Sequence, residues 1–368
     1  MILFLHNRYR TTGGEERVVE DLRWLVREHL DEEAELLERD SGSFGRSAAA
    51  RALLRGGLEP QDVGKAVRLT GARVVHAHNL NPAFGWRALA AARAAGARVV
   101  LHLHNYRLVC AVGTCFNSRG EDCTRCRGRN TWPGVRLNCR GTGPEAVVYG
   151  AALAAWQRRL AAQADAVVVP SAFAARRLAE LGAPIPPPAV LPPVVRACAG
   201  GSNAASGRHA LFAGRLAAEK GVEIAAAACD RAGLPLVVAG DGPLLESLRA
   251  AHPDVRFTGR VSAEELAELR AGAALAVAPS RSAETFGLAA AEAMAAGLPV
   301  AASRIGALPE LVEDAGLVAP GDAAALAATA RARFGDEDAG RRGLATVRAR
   351  CAPETVAAQL AAVYDGGQ

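Results

Sequence analysis

The sequence predicts an α/β chain of two domains, and three observations carry that prediction. Its 368 residues exceed what one hydrophobic core usually serves. Short apolar runs alternate with helical patterns through most of the chain, the signature of a mostly parallel sheet covered on both faces. From residue 183 to 207 the composition turns to Pro-Ile-Pro-Pro-Pro and Leu-Pro-Pro, then to Gly-Gly-Ser-Asn-Ala-Ala-Ser-Gly, which reads as a linker, stiff first and flexible later.

Taken in order, Ile2 to His6 is a buried strand, and Val18, Val19, Leu22, Leu25 and Val26 mark the first helix by their spacing. Further strands are expected at 34–37, 73–77, 98–103 and 166–169, with a helix over 145–162; residues 41–68 carry no usable motif. After the linker, 209–213, 235–239, 255–258 and 273–278 read as strands. An alanine-rich helix runs from about Gly287 to Ala296 and is stopped by Gly297, before a strand that begins at Pro299. Residues 353–364 make a terminal helix.

Composition narrows the function classes. Half of the residues are hydrophobic, yet no apolar run approaches the roughly eighteen needed to span a bilayer. The start, Met-Ile-Leu-Phe-Leu-His, is too short for a signal-peptide core, so a cytoplasmic protein is expected. The net charge of +5 comes almost wholly from arginine, because Lys65 and Lys220 are the only lysines. A lysine kept in such a chain points to a position that needs an ammonium, with a plain surface residue as the alternative for Lys65. No nucleic-acid partner is expected, since recognised binding motifs are missing and only 5% of residues are aromatic.

Positional signals are densest from 279 to 303. Glu284 and Glu292 lie one in a loop and one about a turn inside the following helix, so both can face one cleft. Between them Phe286, Gly287 and Leu288 present backbone N–H groups at a helix N-terminus, where an anion is favoured. Carboxylates that accept hydroxyl protons beside amides that accept a phosphate suit a sugar joined to a nucleotide diphosphate; a dipole-stabilising Glu and a solvated Glu are the alternative. Near another helix start, Arg215 can fork to phosphate oxygens and Lys220 can add a point charge, unless they simply pair with Glu219 or Asp241. Gly13 and Gly14 allow close backbone approach to a ligand or form a plain tight turn. His76 with His78, and His102 with His104, each share one face of a strand. His78 and His104 fall at the strand ends, where open parallel sheets collect ligands, whereas His76 and His102 read as core histidines.

Glu-Thr-Phe-Gly-Leu followed by Glu-Ala-Met-Ala-Ala-Gly-Leu-Pro-Val resembles the Glu-(seven residues)-Glu signature of retaining glycosyltransferases of family 4. Gly-Arg-Leu with Glu-Lys-Gly, Gly240-Asp241-Gly242-Pro243 and Phe257-Thr258-Gly259-Arg260-Val261 resemble further elements of that family, while Ala307 stands where a double glycine is usual. The resemblance implies a GT-B fold: two Rossmann-like domains, 1–182 and 208–352, facing a central cleft, with 353–368 packing back on the first. It implies retaining transfer from a nucleotide-diphosphate sugar, UDP or GDP, to a hydroxyl acceptor in cell-surface polysaccharide, glycolipid or glycoconjugate biosynthesis. By the same resemblance Glu284 binds donor-sugar hydroxyls, Glu292 the ribose and Val261 the base. Arg215 and Lys220 hold the leaving diphosphate, the loop at Gly13 and Gly14 lies over the donor phosphates and acceptor, and His104 stands at the acceptor side. No Asp-x-Asp metal motif is apparent, so no catalytic metal is expected. An epimerase of the same fold and a sugar-nucleotide-binding scaffold are the rival readings.

Between about 105 and 142 the alternation stops. Cys110, Cys115, Cys123, Cys126 and Cys139 fall here with few apolar residues. Cys123 and Cys126 have the spacing of half a thiolate metal site, and Cys110 and Cys139 are the preferred partners for a structural zinc; free thiols or a redox-active pair are the alternatives. Arg119, Arg125, Arg127, Arg129, Arg136 and Arg140, with Trp132, make the insert basic. A lipid-linked or anionic acceptor, or peripheral contact at the inner face of a membrane, fits that charge, as does a solvated loop.

Overall fold

The computed structural model describes residues 1–9 and 13–366. The chain forms two compact units, the first made of Met1–Arg119, Cys123–Val194 and Pro353–Gln368, the second of Gly120–Asp122 and Val195–Ala352.

In the first unit β1 (Ile2–Arg8), α1 (Gly14–His29), β2 (Ala34–Asp40), α2 (Arg46–Arg55), α3 (Pro60–Thr70), β3 (Val74–Ala77), α4 (Gly85–Ala94) and β4 (Arg98–His102) alternate as the apolar periodicity requires. The insert follows with one short helix, α5 (Trp132–Arg136), and then α6 (Gly143–Ala161), β5 (Ala166–Val169), α7 (Ala172–Glu180) and β6 (Ala189–Val190) complete the run. Among the described residues the strands form a six-stranded sheet in the order β2-β1-β3-β4-β5-β6, with every pair parallel. The Pro-rich stretch contains β6 because Ala189 and Val190 pair with Val168 and Val169 at the sheet edge, where the missing N–H groups of nearby prolines cost no ladder bonds. Residues 41–68, unassigned from sequence, fold mainly as α2 and α3.

The second unit holds β7 (His209–Ala213), α8 (Val222–Ala232), β8 (Leu236–Ala239), α9 (Leu245–Ala251), β9 (Arg256–Gly259), α10 (Ala263–Ala271), β10 (Ala273–Ala278), α11 (Leu288–Ala295), β11 (Val300–Ser303), β12 (Leu317–Val318), α12 (Ala323–Arg333) and α13 (Glu337–Cys351). Its sheet among the described residues is also six-stranded and parallel, in the order β12-β11-β10-β7-β8-β9. Alternate residues of β7 enter different cores: Leu211 packs with Met294 and Phe286 on one face, while Ala210 and Phe212 pack with Val222 and Leu326 on the other. Burying a side chain the size of Leu211 contributes about 1.5–3 kcal/mol, and the alanines of α8 and α11 let the helices lie close on the sheet. Among the described residues no helix is long and apolar enough to cross a membrane.

Helix α14 (Pro353–Asp365) belongs to the first unit. Its Tyr364 is buried and bonds His76 Nδ1 at 2.8 Å.

Strand order reverses once in each sheet, between β1 and β3 and between β7 and β10, and the crevice at such a reversal is where ligands collect in parallel sheets. In the second unit glycines close that crevice. Gly221 has φ +67° and would bring a Cβ to 2.2 Å from the Pro279 carbonyl, and at Gly306, with φ +63°, a Cβ would lie 2.4 Å from the Glu284 nitrogen. Ala307 has φ −85°, so the alanine that replaces the usual second glycine is conformationally free to stand there. Gly221→Ala is expected to cost on the order of 1–3 kcal/mol, whereas Gly200→Ala, with nothing within 4 Å of its Cβ, should be close to neutral. Thermal melts of the two variants check this.

Candidate active site

The loop that follows β7 and the loop that follows β10 are tied backbone to backbone. Arg281 and Ser282 each donate an N–H to the Glu219 carbonyl, at 2.9 and 3.3 Å. That tie sets Lys220 Nζ 2.6 Å from Glu284 Oε1, and the same oxygen accepts from the Ser280 hydroxyl at 2.6 Å. Lys220 is 31% exposed and Glu284 17%, so the pair is sheltered yet reachable. Burial pushes the Glu284 carboxyl upward, but the Lys220 ammonium, the hydrogen bonds from Lys220 and Ser280, and the charge of Arg215 outweigh it and hold the group below the usual carboxylate range. Ala307 N–H donates to the Glu284 carbonyl at 2.9 Å, fixing the backbone that carries the carboxylate.

Arg215 pairs with Glu219, the alternative left open by the sequence. Its guanidinium is half exposed and its charge still reaches Glu284. Gly287 caps α11 in the left-handed region with φ +95° and no side-chain cap bond. The helix therefore begins with backbone donors that no capping side chain satisfies. Phe286 is buried in the core under the helix start and Leu288 is its first residue. Glu292 is bonded to Arg270 of α10, both 12% exposed. Sequence reasoning missed Arg270, which carries no signal among so many arginines, and it missed Ser280. Val261 is partly buried against the core that contains Phe286 and Met294.

His104, Gly13 and Gly14 belong to the first unit. Gly13 is the N-cap of α1, and its N–H donates to Glu16 Oε2 at 2.8 Å. The neighbouring Thr11 and Thr12 lie outside the described residues. His104 Nε2 shares a 2.7 Å hydrogen bond with His78 Nδ1 and stacks on His102 with ring centroids 4.0 Å apart. His102 Nδ1 is 3.2 Å from His76 Nε2. The two core histidines thus make a hydrogen-bonded layer that ends at Tyr364, and His78 joins His104. His76, His78 and His102 also bring ring nitrogens within 4.8 Å of one another, the only such group of metal-ligating residues among those described. Burial holds all four imidazoles below their ordinary value, His76 at about 3. An open cleft reaches this layer and is lined by polar Glu15, His104, Asn105 and Arg107 and by apolar Trp86 and Trp156.

The five insert cysteines line one cavity, and none of them is in a disulfide. Of the insert arginines, Arg140 is committed to Glu145 and to the Tyr149 ring, and Arg129 donates to the Ala154 carbonyl.

Two pH responses follow. Glu284 is depressed, so its contribution is complete above the ordinary carboxyl value of about 4.3 and is lost as pH falls through the lower folded value. Glu284→Gln should therefore lower the unfolding free energy by about 1–3 kcal/mol at neutral pH, with the deficit shrinking below pH about 4.3 in denaturant titrations. The imidazoles are depressed too, but for a base this means that the unfolded chain takes up protons near pH 6.5 that the folded chain refuses. Stability should be full above that pH and decline steadily below it. Replacing His102 by Gln should flatten the decline in melts recorded from pH 7 to 5.

Residues 10–193, half of the chain, match the family model described as glycosyl transferase 4-like domain, and residues 207–336 match that of glycosyl transferases group 1. A GDP-mannose-dependent alpha-mannosyltransferase of Corynebacterium glutamicum is 43% identical over 103 residues, 28% of this chain and 25% of its own. The chain spans between 21% and 41% of the length of the curated relatives it matches. Anabaena Alr3699/HepE, solved in complex with UDP-glucose, superposes with a TM-score of 0.65 over 99% of both chains at 18% identity. Sucrose-phosphate synthase of Thermosynechococcus elongatus does so with a TM-score of 0.71 over 99% of this chain and 98% of its own at 20% identity. Those two likenesses are of fold, and the fold is GT-B. With its first half matched throughout and its second half matched by the companion group, the chain belongs to the glycosyl transferase 4-like family.

Proposed function

We propose that the chain is a retaining glycosyltransferase that moves a sugar from a nucleotide-diphosphate donor to a hydroxyl acceptor. The observation that carries this reading is the Lys220–Glu284 pair, set at the strand-order reversal of the second sheet beside the start of α11. A cation, a carboxylate and free helix N-terminal amides are the three groups that a diphosphate joined to a sugar calls for.

In this reading Glu284 accepts hydrogen bonds from donor-sugar hydroxyls, Glu292 receives the ribose and the backbone at Val261 meets the base. The bond from the anomeric carbon to the diphosphate oxygen breaks while the acceptor hydroxyl attacks from the same face. The acceptor's proton passes to the departing phosphate oxygen, so charge is conserved within the reacting pair. Arg215, Lys220 and the amides at Phe286, Gly287 and Leu288 lower the barrier by stabilising the negative charge that grows on the leaving group. By the family resemblance Gly13 and Gly14 lie over the donor phosphates and acceptor and His104 serves the acceptor side, and this reading invokes no catalytic metal. Exposed Arg119, Arg125, Arg127, Arg129 and Arg136, with Trp132 66% exposed, support an anionic or lipid-linked acceptor and peripheral contact with headgroups.

The relatives' printed donors, GDP-mannose and UDP-glucose, set the first assay. UDP-, GDP-, ADP- and dTDP-sugars are screened for thermal stabilisation of the wild type and of Glu292→Ala, because a ligand of the native state raises its apparent stability. One base class should shift the wild type and lose most of its effect in the variant. With that donor, Lys220→Ala should cut kcat by roughly 10²–10³. Stabilisation with acceptor-independent release of free or epimerised sugar would favour an epimerase. Stabilisation with no turnover would favour a binding scaffold, and no shift at millimolar donor would sink the donor site.

A further inference from the structure

The insert between β4 and α6 holds its fold with little of the usual means. Over 103–142 the described secondary structure is the five-residue α5 and a few isolated bridge residues, Phe116, Asp122 and the pair Arg127 and Asn130. Yet Cys110, Cys115 and Cys126 are buried, and all five cysteines face one cavity with Ala111, Val112, Pro133 and Gly134. Backbone donors converge on the sulfurs. The N–H groups of Val112, Gly113 and Cys115 point at Cys110, those of Ala111 and Gly134 at Cys126, and that of Ser118 at Cys139. Gly113 has φ +86°, which turns the chain so that its amide meets the sulfur three residues before it, and a Cβ at Gly134 would stand 2.8 Å from Ala111 Cβ and 3.4 Å from Cys126 Sγ. Amides donating to sulfur are the outer shell that thiolate metal sites use to fix and tune their ligands.

We propose that Cys110, Cys123, Cys126 and Cys139 hold one zinc ion as four thiolates, with Cys115 outside the ligand set as a donor to Cys110. Cys123 and Cys126 supply a Cys-x-x-Cys half, and Cys110 and Cys139 close the tetrahedron from either side. The side-chain bond from Cys115 to Cys110 places the fifth thiol as a partner of a ligand. The sulfurs are spread more widely than the nitrogens of the histidine group, so the ion would draw the cavity wall inward, and its uptake would order the insert. That has a consequence for His104. Tyr106 N–H donates to the Gly113 carbonyl at 2.9 Å and Cys110 N–H to the Tyr106 carbonyl at 2.8 Å, so the turn that ends at the proposed ligand Cys110 starts two residues after His104.

The full chain is purified from zinc-replete culture and its metal content is measured by mass spectrometry. About one zinc per chain is expected. After chelation, Co²⁺ added alone should give the thiolate charge-transfer and visible bands of a tetrahedral four-sulfur site, and Zn²⁺ should displace it. Cys110→Ser, Cys123→Ser, Cys126→Ser and Cys139→Ser should each reduce bound zinc more than about tenfold. Cys115→Ser should keep the stoichiometry with affinity weakened roughly 10–100-fold, and Cys229→Ser, in the other unit, should change nothing. The cobalt spectrum is read on the wild type, so the test survives poor folding of a serine variant. Absence of metal and of cobalt bands in wild type, with all eight cysteines titrating as thiols, overturns the site. So does absence of metal with thiols missing in pairs, which would mean disulfides. Loss of zinc in Cys115→Ser together with its retention in one of the four overturns the ligand assignment.

Discussion

The ion pair between Lys220 and Glu284 is the constraint on which the second unit is organised. An ammonium and a carboxylate 2.6 Å apart and largely sheltered from water gain no large net stability, because desolvation consumes much of their attraction. What the pair imposes is position. For Lys220 to reach Glu284, the loops after β7 and β10 must lie against each other, and that contact leaves no room for side chains at Gly221 or Gly306. The same crowding recurs one strand along, where a Cβ at Gly240 would fall 1.9 Å from the Gly214 carbonyl. A sheet whose order reverses between β7 and β10 places both loops on one crevice, and the glycines let the crevice be lined by backbone and charge in place of packed side chains.

The first unit meets the same topological opportunity with different chemistry. Its strand ends contribute imidazoles, and the layer from Tyr364 through His76 to His102 replaces apolar packing with hydrogen-bonded rings. Each ring must stay neutral to be buried, so the layer is stable only where its nitrogens find partners. Tyr364 gives His76 one such partner from the last helix of the chain. His78 spends one nitrogen on His104 and leaves its buried Nε2 without a hydrogen bond. The stacking of His104 on His102 therefore ties the proposed acceptor-side histidine to a polar layer whose protonation state is set by burial.

Much of this architecture could be read from residues. Strands β5, β7 and β10 fall at the bounds their apolar runs mark, because each is a short β-branched or alanine-rich run stopped by proline, glycine or a polar turn. Lys220 stood out because lysine is rare here, and Glu284 because a glycine and a helix start follow it. The partners were another matter. Arg270 is one of many arginines and meets Glu292 only because α10 and α11 flank the same sheet. Tyr364 reaches His76 across 288 residues, and no local pattern encodes that distance. Strand β6 hides among prolines because an edge strand needs only one row of amides. Local periodicity reports elements, whereas pairings between elements depend on the order in which the strands assemble.

The two carboxylates of the proposed donor site are held by different cations, and the difference has a physical reason. Arg270 is buried to the same degree as Glu292 and holds it through one guanidinium nitrogen, Nη2. Lys220 is a point charge with three rotatable donors on a flexible stem, and 31% of it remains exposed. It can hold Glu284 and still offer an N–H to a second acceptor without giving up the first. A guanidinium at 220 would fork onto Glu284 and spend its directional donors there. In a chain so rich in arginine, the lysine at 220 suits the proposed role of a cation that serves two anions in turn.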